Sequence, residues 1–190
     1  MIDDRWEQKL EERTLNGNFR DLKISTGKVD FVSNDYLGLA RNQTLYELIK
    51  VQMDEIDMPN KNGSGGSRLL SGNSVVYEQL ESYLADVFKS QSTLVFNSGY
   101  QANLALISAV PQKGDTIIYD QLSHVCLKEG AWLSKADSLM FAHNDLKDLE
   151  RKQGHAKGER YVIIESGYSM DGDHSPLTEI RELCHSYAAN

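Results

Sequence analysis

The sequence is poor in the residues that constrain a chain covalently or break it locally. It has two cysteines, Cys126 and Cys184, and three prolines, Pro59, Pro111 and Pro176, in 190 residues. Neither cysteine belongs to a CxxC or Cys/His pattern, which argues against structural zinc and a disulfide framework; both read as small packing residues. No apolar run approaches the roughly 18 residues of a membrane span. Residues Met1 to Glu7 lack a basic segment followed by an apolar one, so the expectation is a cytoplasmic protein with no membrane partner. Positive charge is in deficit, with 20 Lys and Arg against 28 Asp and Glu and a net charge of −8. No basic block interrupts that balance, and duplex binding rests on phosphate neutralisation, so nucleic acid is excluded as a partner. With 40% hydrophobic and 25% charged residues the chain is neither disordered nor fibrous, and its length suffices for a conventional core.

What is present is a regular alternation. Residues 4–16 read as a charged amphipathic arm helix, Val29 to Val32 as a short strand, and residues 44–56 as a helix with Leu45, Leu48, Ile49, Met53 and Ile56 on one stripe. Four of the 14 glycines fall between Gly63 and Gly72, in GSGGSRLLSGN. Beyond this loop come helix 75–89, strand Thr93 to Asn97, helix 99–109, strand Thr116 to Asp120 and helix 124–134. Strand Ser138 to Ala142, a helix 145–152 capped by Asn144, strand Tyr161 to Glu165 and a helix opening at Pro176 complete the order. β-branched strands separated by helices predict a mainly parallel sheet in a three-layer αβα fold. The glycine-rich change of composition divides the chain into an arm with one helix, residues 1–60, and an α/β region, residues 61–190.

In open parallel sheets, ligands bind beyond the carboxyl ends of the strands. Three segments lie there. Ser98-Gly99-Tyr100 opens a helix, so free amides and the positive helix end form an anion cradle. Gln121 to His124 brings an imidazole to the same edge, and Ser166 to Ser169 a hydroxyl. Each has a plain structural alternative as a cap, turn or surface residue, and their convergence favours a site. His143 and Asn144 read as helix-start residues, and His155, His174 and His185 have no partner spacing. No metal-ligand set is expected. Walker A, dinucleotide and hydrolase-elbow patterns all fail: the glycine loop lacks Gly-Lys-Ser/Thr, Arg68 stands where G-x-G-x-x-G needs glycine, and Asp171 where G-x-S-x-G does.

FVSNDYLGLA (31–40), GSGGSRLLSGN (63–73), FNSGYQAN (96–103), DQLSHVCLKEGAWLS (120–134), FAHND (141–145) and SMDGDHSPL (169–177) occur in that order. Together they resemble the α-oxoamine synthases, pyridoxal-phosphate enzymes that condense an amino acid with an acyl thioester and release carbon dioxide. The resemblance implies the large domain of an aspartate aminotransferase-like transferase, truncated after its first half, and a homodimer. Gly99 and Tyr100 match amides that hold the cofactor phosphate. His124 matches a histidine stacked on the pyridine ring and touching substrate, Ser169 a serine reaching the ring's phenolic oxygen, and Arg20 an arginine for the acyl carboxylate. Tyr77 departs from a histidine common at its position. The glycine loop and short arm resemble members acting in biotin synthesis, with L-alanine and a pimeloyl thioester, on coenzyme A or an acyl carrier protein, as substrates. No lysine matches the residue that holds the cofactor, so the chain by itself is expected neither to bind it covalently nor to turn over, and strand Thr93 to Asn97, whose neighbours in this fold belong to the other half, is expected to lack a sheet partner. Other α-oxoamine synthases, a non-catalytic anion-binding α/β fragment and a partner subunit are the alternatives.

Overall fold

The computed structural model describes residues 4–24, 27–56 and 63–190; Pro59 and the expected boundary after residue 60 lie outside them. The chain divides into two compact units, Met1–Gly63 and Ser64–Asn190.

The first unit contains α1 (Asp4–Leu15), a 3-10 turn (Leu39–Arg41) and α2 (Gln43–Glu55), and none of the three has a buried residue. In α1 the Arg5 guanidinium and the Lys9 ammonium lie 5.3 and 4.9 Å from the centre of the Trp6 ring, covering an indole that has no core to enter. Asn42 caps α2 by accepting from the Leu45 amide at 2.9 Å. The strand expected over Val29 to Val32 does not form. Asp30 Oδ1 accepts from the amides of Val32 and Ser33, both at 3.0 Å, and this side-chain turn takes the backbone out of the extended state.

The second unit contains α3 (Val75–Phe88), α4 (Gly99–Ala109), β1 (Thr116–Asp120), α5 (Val125–Leu133), β2 (Asp137–Phe141), α6 (Leu146–His155), β3 (Arg160–Ile163) and α7 (Leu177–Ser186). The strands pair in parallel in the order β2-β1-β3, with Thr116 opposite Asp137 and Arg160. Central β1, TIIYD, is buried along its whole length, as a strand covered on both faces must be. Its alternate side chains separate two cores. Ile117 and Tyr119 pack with Ile107 of α4 and Cys126, Leu127 and Ala131 of α5, whereas Ile118 packs with Phe141, Leu149 of α6 and Ile180 of α7. That is the three-layer arrangement. On the outer side of β3, the Asn190 amide donates to the Arg160 carbonyl at 2.8 Å and its carbonyl accepts from Val162 at 2.9 Å.

Residues 93–97, read as a buried strand, lie outside the sheet with Leu94 and Phe96 exposed. A side chain takes the place of a neighbouring strand. Glu81 Oε1 accepts from the Val95 amide at 2.8 Å, its carbonyl accepts from the Thr93 hydroxyl at 2.7 Å, and its carboxylate takes both terminal nitrogens of Arg68. One acidic residue of α3 therefore fixes the glycine loop and the approach to α4 together. Within that loop Gly72 is required, because a Cβ there would lie 1.8 Å from the Gly66 carbonyl. Two smaller expectations also shift by one residue: Asp145, not Asn144, caps α6, and Pro176 is the cap rather than the first residue of α7.

A Cβ on Gly130 of α5 would stand 2.8 Å from Ile107 Cβ of α4, so Gly130→Ala should destabilise by about 1–3 kcal/mol in urea denaturation. Gly154→Ala in α6, where a Cβ meets open space, should instead stabilise by roughly 0.5–1 kcal/mol. Glu81 is held down to about 2 by the Arg68 hydrogen bonds and the Val95 amide, from an ordinary value of 4.5. A lowered folded-state value means that its stabilisation is complete above 4.5 and is lost as pH falls toward 2. Glu81→Gln should therefore flatten the acid limb of the stability profile in that window.

Candidate active site

The sheet delivers three loops to one edge: Gln121–His124 after β1, Ala142–Asp145 after β2, and the stretch from Ile164 to Ser175 after β3. Between the first and third lies a cleft of about 280 Å³ lined by Ser123, His124, Glu165, Tyr168, Ser169 and Asp171, among others. The Glu165 carboxylate lines it and accepts from the His124 amide at 2.6 Å.

His124 is the N-cap of α5. Its Nδ1 accepts from the Cys126 amide at 3.3 Å and lies 2.9 Å from Cys126 Sγ, which in turn receives the Asn103 side-chain amide at 3.4 Å. A nitrogen that accepts from a backbone amide carries no proton, so the ring proton sits on Nε2. Cys126, read from sequence as a packing residue, is buried as expected but also donates its thiol to the ring that lines the cleft. Beside His124 stands Tyr100 of α4, with ring centres 6.0 Å apart and nearly perpendicular planes. The Tyr100 hydroxyl donates to Glu129, and that bond, with burial, pushes the phenol above its usual range. Ser98 caps α4 through the Gln101 amide at 3.2 Å, which leaves the amides of Gly99 and Tyr100 ahead of the first intrahelical bond. The space over Gly99 is open. His124 and Ser169 thus share a cleft, and Gly99 and Tyr100 stand at its side. Arg20 belongs to the other unit, exposed in a shallow depression that it lines with Arg13, Gly17 and Asn18.

A second constellation was not anticipated from sequence. His143, read as a helix-start residue, bridges two carboxylates, with Nδ1 2.8 Å from Asp120 Oδ1 and Nε2 2.7 Å from Asp173 Oδ2. Asp120 has no solvent exposure and also accepts from the Leu122 and Asn144 amides at 2.7 and 3.0 Å. Asn144 Nδ2 donates to Asp173 at 2.9 Å, and the Tyr168 ring meets the imidazole edge-on at 4.5 Å. No local spacing signals it, because Asp120 ends β1 and His143 and Asp173 stand on two separate loops.

Residues 26–189 match the family Aminotransferase class I and II. The chain belongs to that family. Among curated aminotransferase-class relatives, 8-amino-7-oxononanoate synthase of Lysinibacillus sphaericus is 39% identical over 202 residues, spanning 99% of this chain and 51% of the relative. The enzyme of the same name from Methylobacterium nodulans is 41% identical over 185 residues, spanning 96% and 48%. The chain thus covers about half the length of the curated relatives it matches. A serine palmitoyltransferase from S. paucimobilis, solved with a bound PLP-myriocin aldimine, superposes with a TM-score of 0.82 at 25% identity, covering 98% of this chain and 50% of that one.

The residues present fit the pyridoxal phosphate that this solved aminotransferase-class structure carries. Ser123 is 3% exposed, lines the cleft and has no hydrogen-bond partner for its Oγ, so a buried hydroxyl awaits one. The first amides of α4 offer an anion two donors. Among the described residues no lysine lines the cleft, and Lys128, on the α5 side of the turn, donates its Nζ to the Gln121 carbonyl at 2.6 Å. No helix of the described residues is long and apolar enough to cross a membrane, and no described group of three or more His, Cys, Asp or Glu is placed to hold a metal ion.

The capping geometry makes a spectroscopic prediction. Long-range proton–nitrogen correlation of the neutral His124 ring should show Nδ1 unprotonated and Nε2 protonated. Cys126→Ala, which removes the thiol but leaves the capping amide, should keep that tautomer, and an Nδ1–H ring in the parent protein would sink the assignment.

Proposed function

We propose that this chain supplies the phosphate- and ring-binding wall of a pyridoxal-phosphate-dependent acyltransferase that condenses L-alanine with a pimeloyl thioester, releasing carbon dioxide. This is the 8-amino-7-oxononanoate synthase reaction of biotin synthesis. One observation carries the reading: His124 and Ser169 share a cleft beside the amino end of α4, in a chain 39% and 41% identical to two enzymes of that name.

When bound, pyridoxal phosphate supplies an electron sink for negative charge at the α-carbon of the amino acid. The residues of this chain bind and orient. In this reading the Gly99 and Tyr100 amides, with the α4 dipole behind them, hold the phosphate. His124 presents its ring to the pyridine, and its Nε2–H is the one proton it has free to give to substrate, because Nδ1 is committed to the cap. Ser169 donates its hydroxyl to the ring's phenolic oxygen, and Ser123 adds the unpartnered hydroxyl beside it. Arg20 takes the carboxylate of the acyl tail, a contact a chain of net charge −8 needs from a cation. The acyl carrier is coenzyme A or an acyl carrier protein, and the assembly is a cytoplasmic homodimer.

The likeness to serine palmitoyltransferase favours a second reading within the same chemistry, with L-serine and a longer acyl chain. Pyridoxal phosphate should bind saturably to the protein, followed by absorbance, and His124→Ala and Ser169→Ala should each weaken binding about tenfold. Equal affinity in both variants overturns the ring contacts. In an assembly that also supplies the cofactor-holding lysine, consumption of L-alanine with pimeloyl-CoA supports the first reading, and preference for L-serine with palmitoyl-CoA the second. Binding of inorganic phosphate by this chain as tightly as the cofactor, with no turnover of either pair in that assembly, leaves an anion-binding domain.

A further inference from the structure

Ser169 lies on an exposed loop with Met170, Asp171 and Gly172, and nothing in the sheet ladder reaches it. Its position depends on what ties residues 166–175 to the rest of the unit. Within the loop, Gly167 and His174 form one antiparallel bridge, and the Tyr168 and Gly172 amides bond internally. These contacts shape the loop but anchor it to nothing. Outward, the buried Tyr168 hydroxyl accepts from the Glu165 amide at 3.4 Å and bonds Asp120, and the remaining polar links run through His143 and its neighbour Asn144: Asp173 to the imidazole, Asp173 and the His174 carbonyl to Asn144, and the Ser175 hydroxyl to Asn144 Oδ1 at 3.2 Å.

The protonation of that link is set by its partners. A carboxylate only accepts, so an imidazole between two carboxylates donates from both nitrogens and is an imidazolium. The Asn144 amide lies 3.2 Å from Nε2, but its two protons have acceptors in Asp173 Oδ2 and the His174 carbonyl, so Nε2 keeps its own. Asp120 faces the ring from β1, and Asp173 and Tyr168 face it from the loop. On α6, Asp148 is committed to the Ala142 amide and Arg151, and Asp145 to the α6 cap. The ring of His174 turns away to the Ser166 carbonyl.

We infer that His143 is a positioning residue: as a cation clamped between Asp120 and Asp173, it fixes the 166–175 loop, and with it Ser169, against the end of β1 from which the His124 turn departs. The consequence for cofactor contact rests on the functional reading above; the clamp itself does not. Burial pulls the His143 pKa down, and the hydrogen bonds and charges of Asp120 and Asp173 outweigh it, so the ring titrates above its ordinary 6.5. Hydrogen bonding to His143 leads the effects that hold Asp173 below its ordinary 3.8. A raised histidine contributes fully below its unfolded value and loses its effect as pH rises through the folded one; a lowered aspartate contributes above 3.8 and fades below it. The loop is therefore clamped in the acid-to-neutral range and released on both sides.

The test uses the protein without cofactor, so it stands apart from any failure of pyridoxal phosphate to bind. NMR titration should place the His143 midpoint above 6.5, and amide exchange of 166–175, corrected for intrinsic rates, should accelerate as pH rises through that midpoint. Asp173→Asn, which leaves the buried Asp120–His143 pair intact, should raise loop exchange about tenfold at neutral pH and remove the step. In that variant β1 and β2 keep their protection, which separates release of the loop from general unfolding. A parent midpoint at or below 6.5, or unchanged loop exchange in Asp173→Asn, overturns the inference.

Discussion

A carboxylate with no access to water sits at the carboxyl end of the central strand, and the site edge of the α/β unit is arranged around the need to satisfy it. Asp120 accepts from the Leu122 amide of its own turn, from an amide after β2, and from His143. A buried charge without such partners is untenable, so the turn after β1 and the loop after β2 are held to one geometry. Because His143 carries a second contact outward to Asp173, the loop after β3 is drawn into the same arrangement. The three loops that build the edge thus answer to one side chain.

The sheet and its flanking helices were legible because their signals are local and redundant. TIIYD is apolar on both faces, so it reads as a central strand, and it is one. The failures share a cause. Val29 to Val32 has strand composition and forms no strand, and Thr93 to Asn97, expected to lack a sheet partner, lies outside the sheet; β-propensity expresses fit to a neighbouring strand, and composition does not say whether one is there. Asp30 captures one backbone and Glu81 the other, through side chains in contact that a periodicity argument does not register.

In the site, the elements that open a helix could be found, because helix starts leave a pattern: Ser98-Gly99 opens α4, and Ser123-His124 opens α5 after β1. The clamp could not. Asp120, His143 and Asp173 are separated by tens of residues, and only the parallel order β2-β1-β3 brings their loops to one edge. His143 looked like a helix-start residue because it does stand two residues before the cap of α6. The local description was right about its place in the chain and silent about where its two nitrogens go.

Position 124 holds a residue with two occupations that ordinarily exclude each other. The side chains favoured at a helix N-cap, Ser, Thr, Asp and Asn, offer no aromatic surface, and Phe, Tyr and Trp offer a ring but no acceptor within reach of the second amide. Histidine does both, provided Nδ1 is turned inward to the helix, as it is here. The folding of α5 and the presentation of a ring to the cleft are therefore written in a single codon, and a chain that retains either function at this position by the usual substitutions forfeits the other.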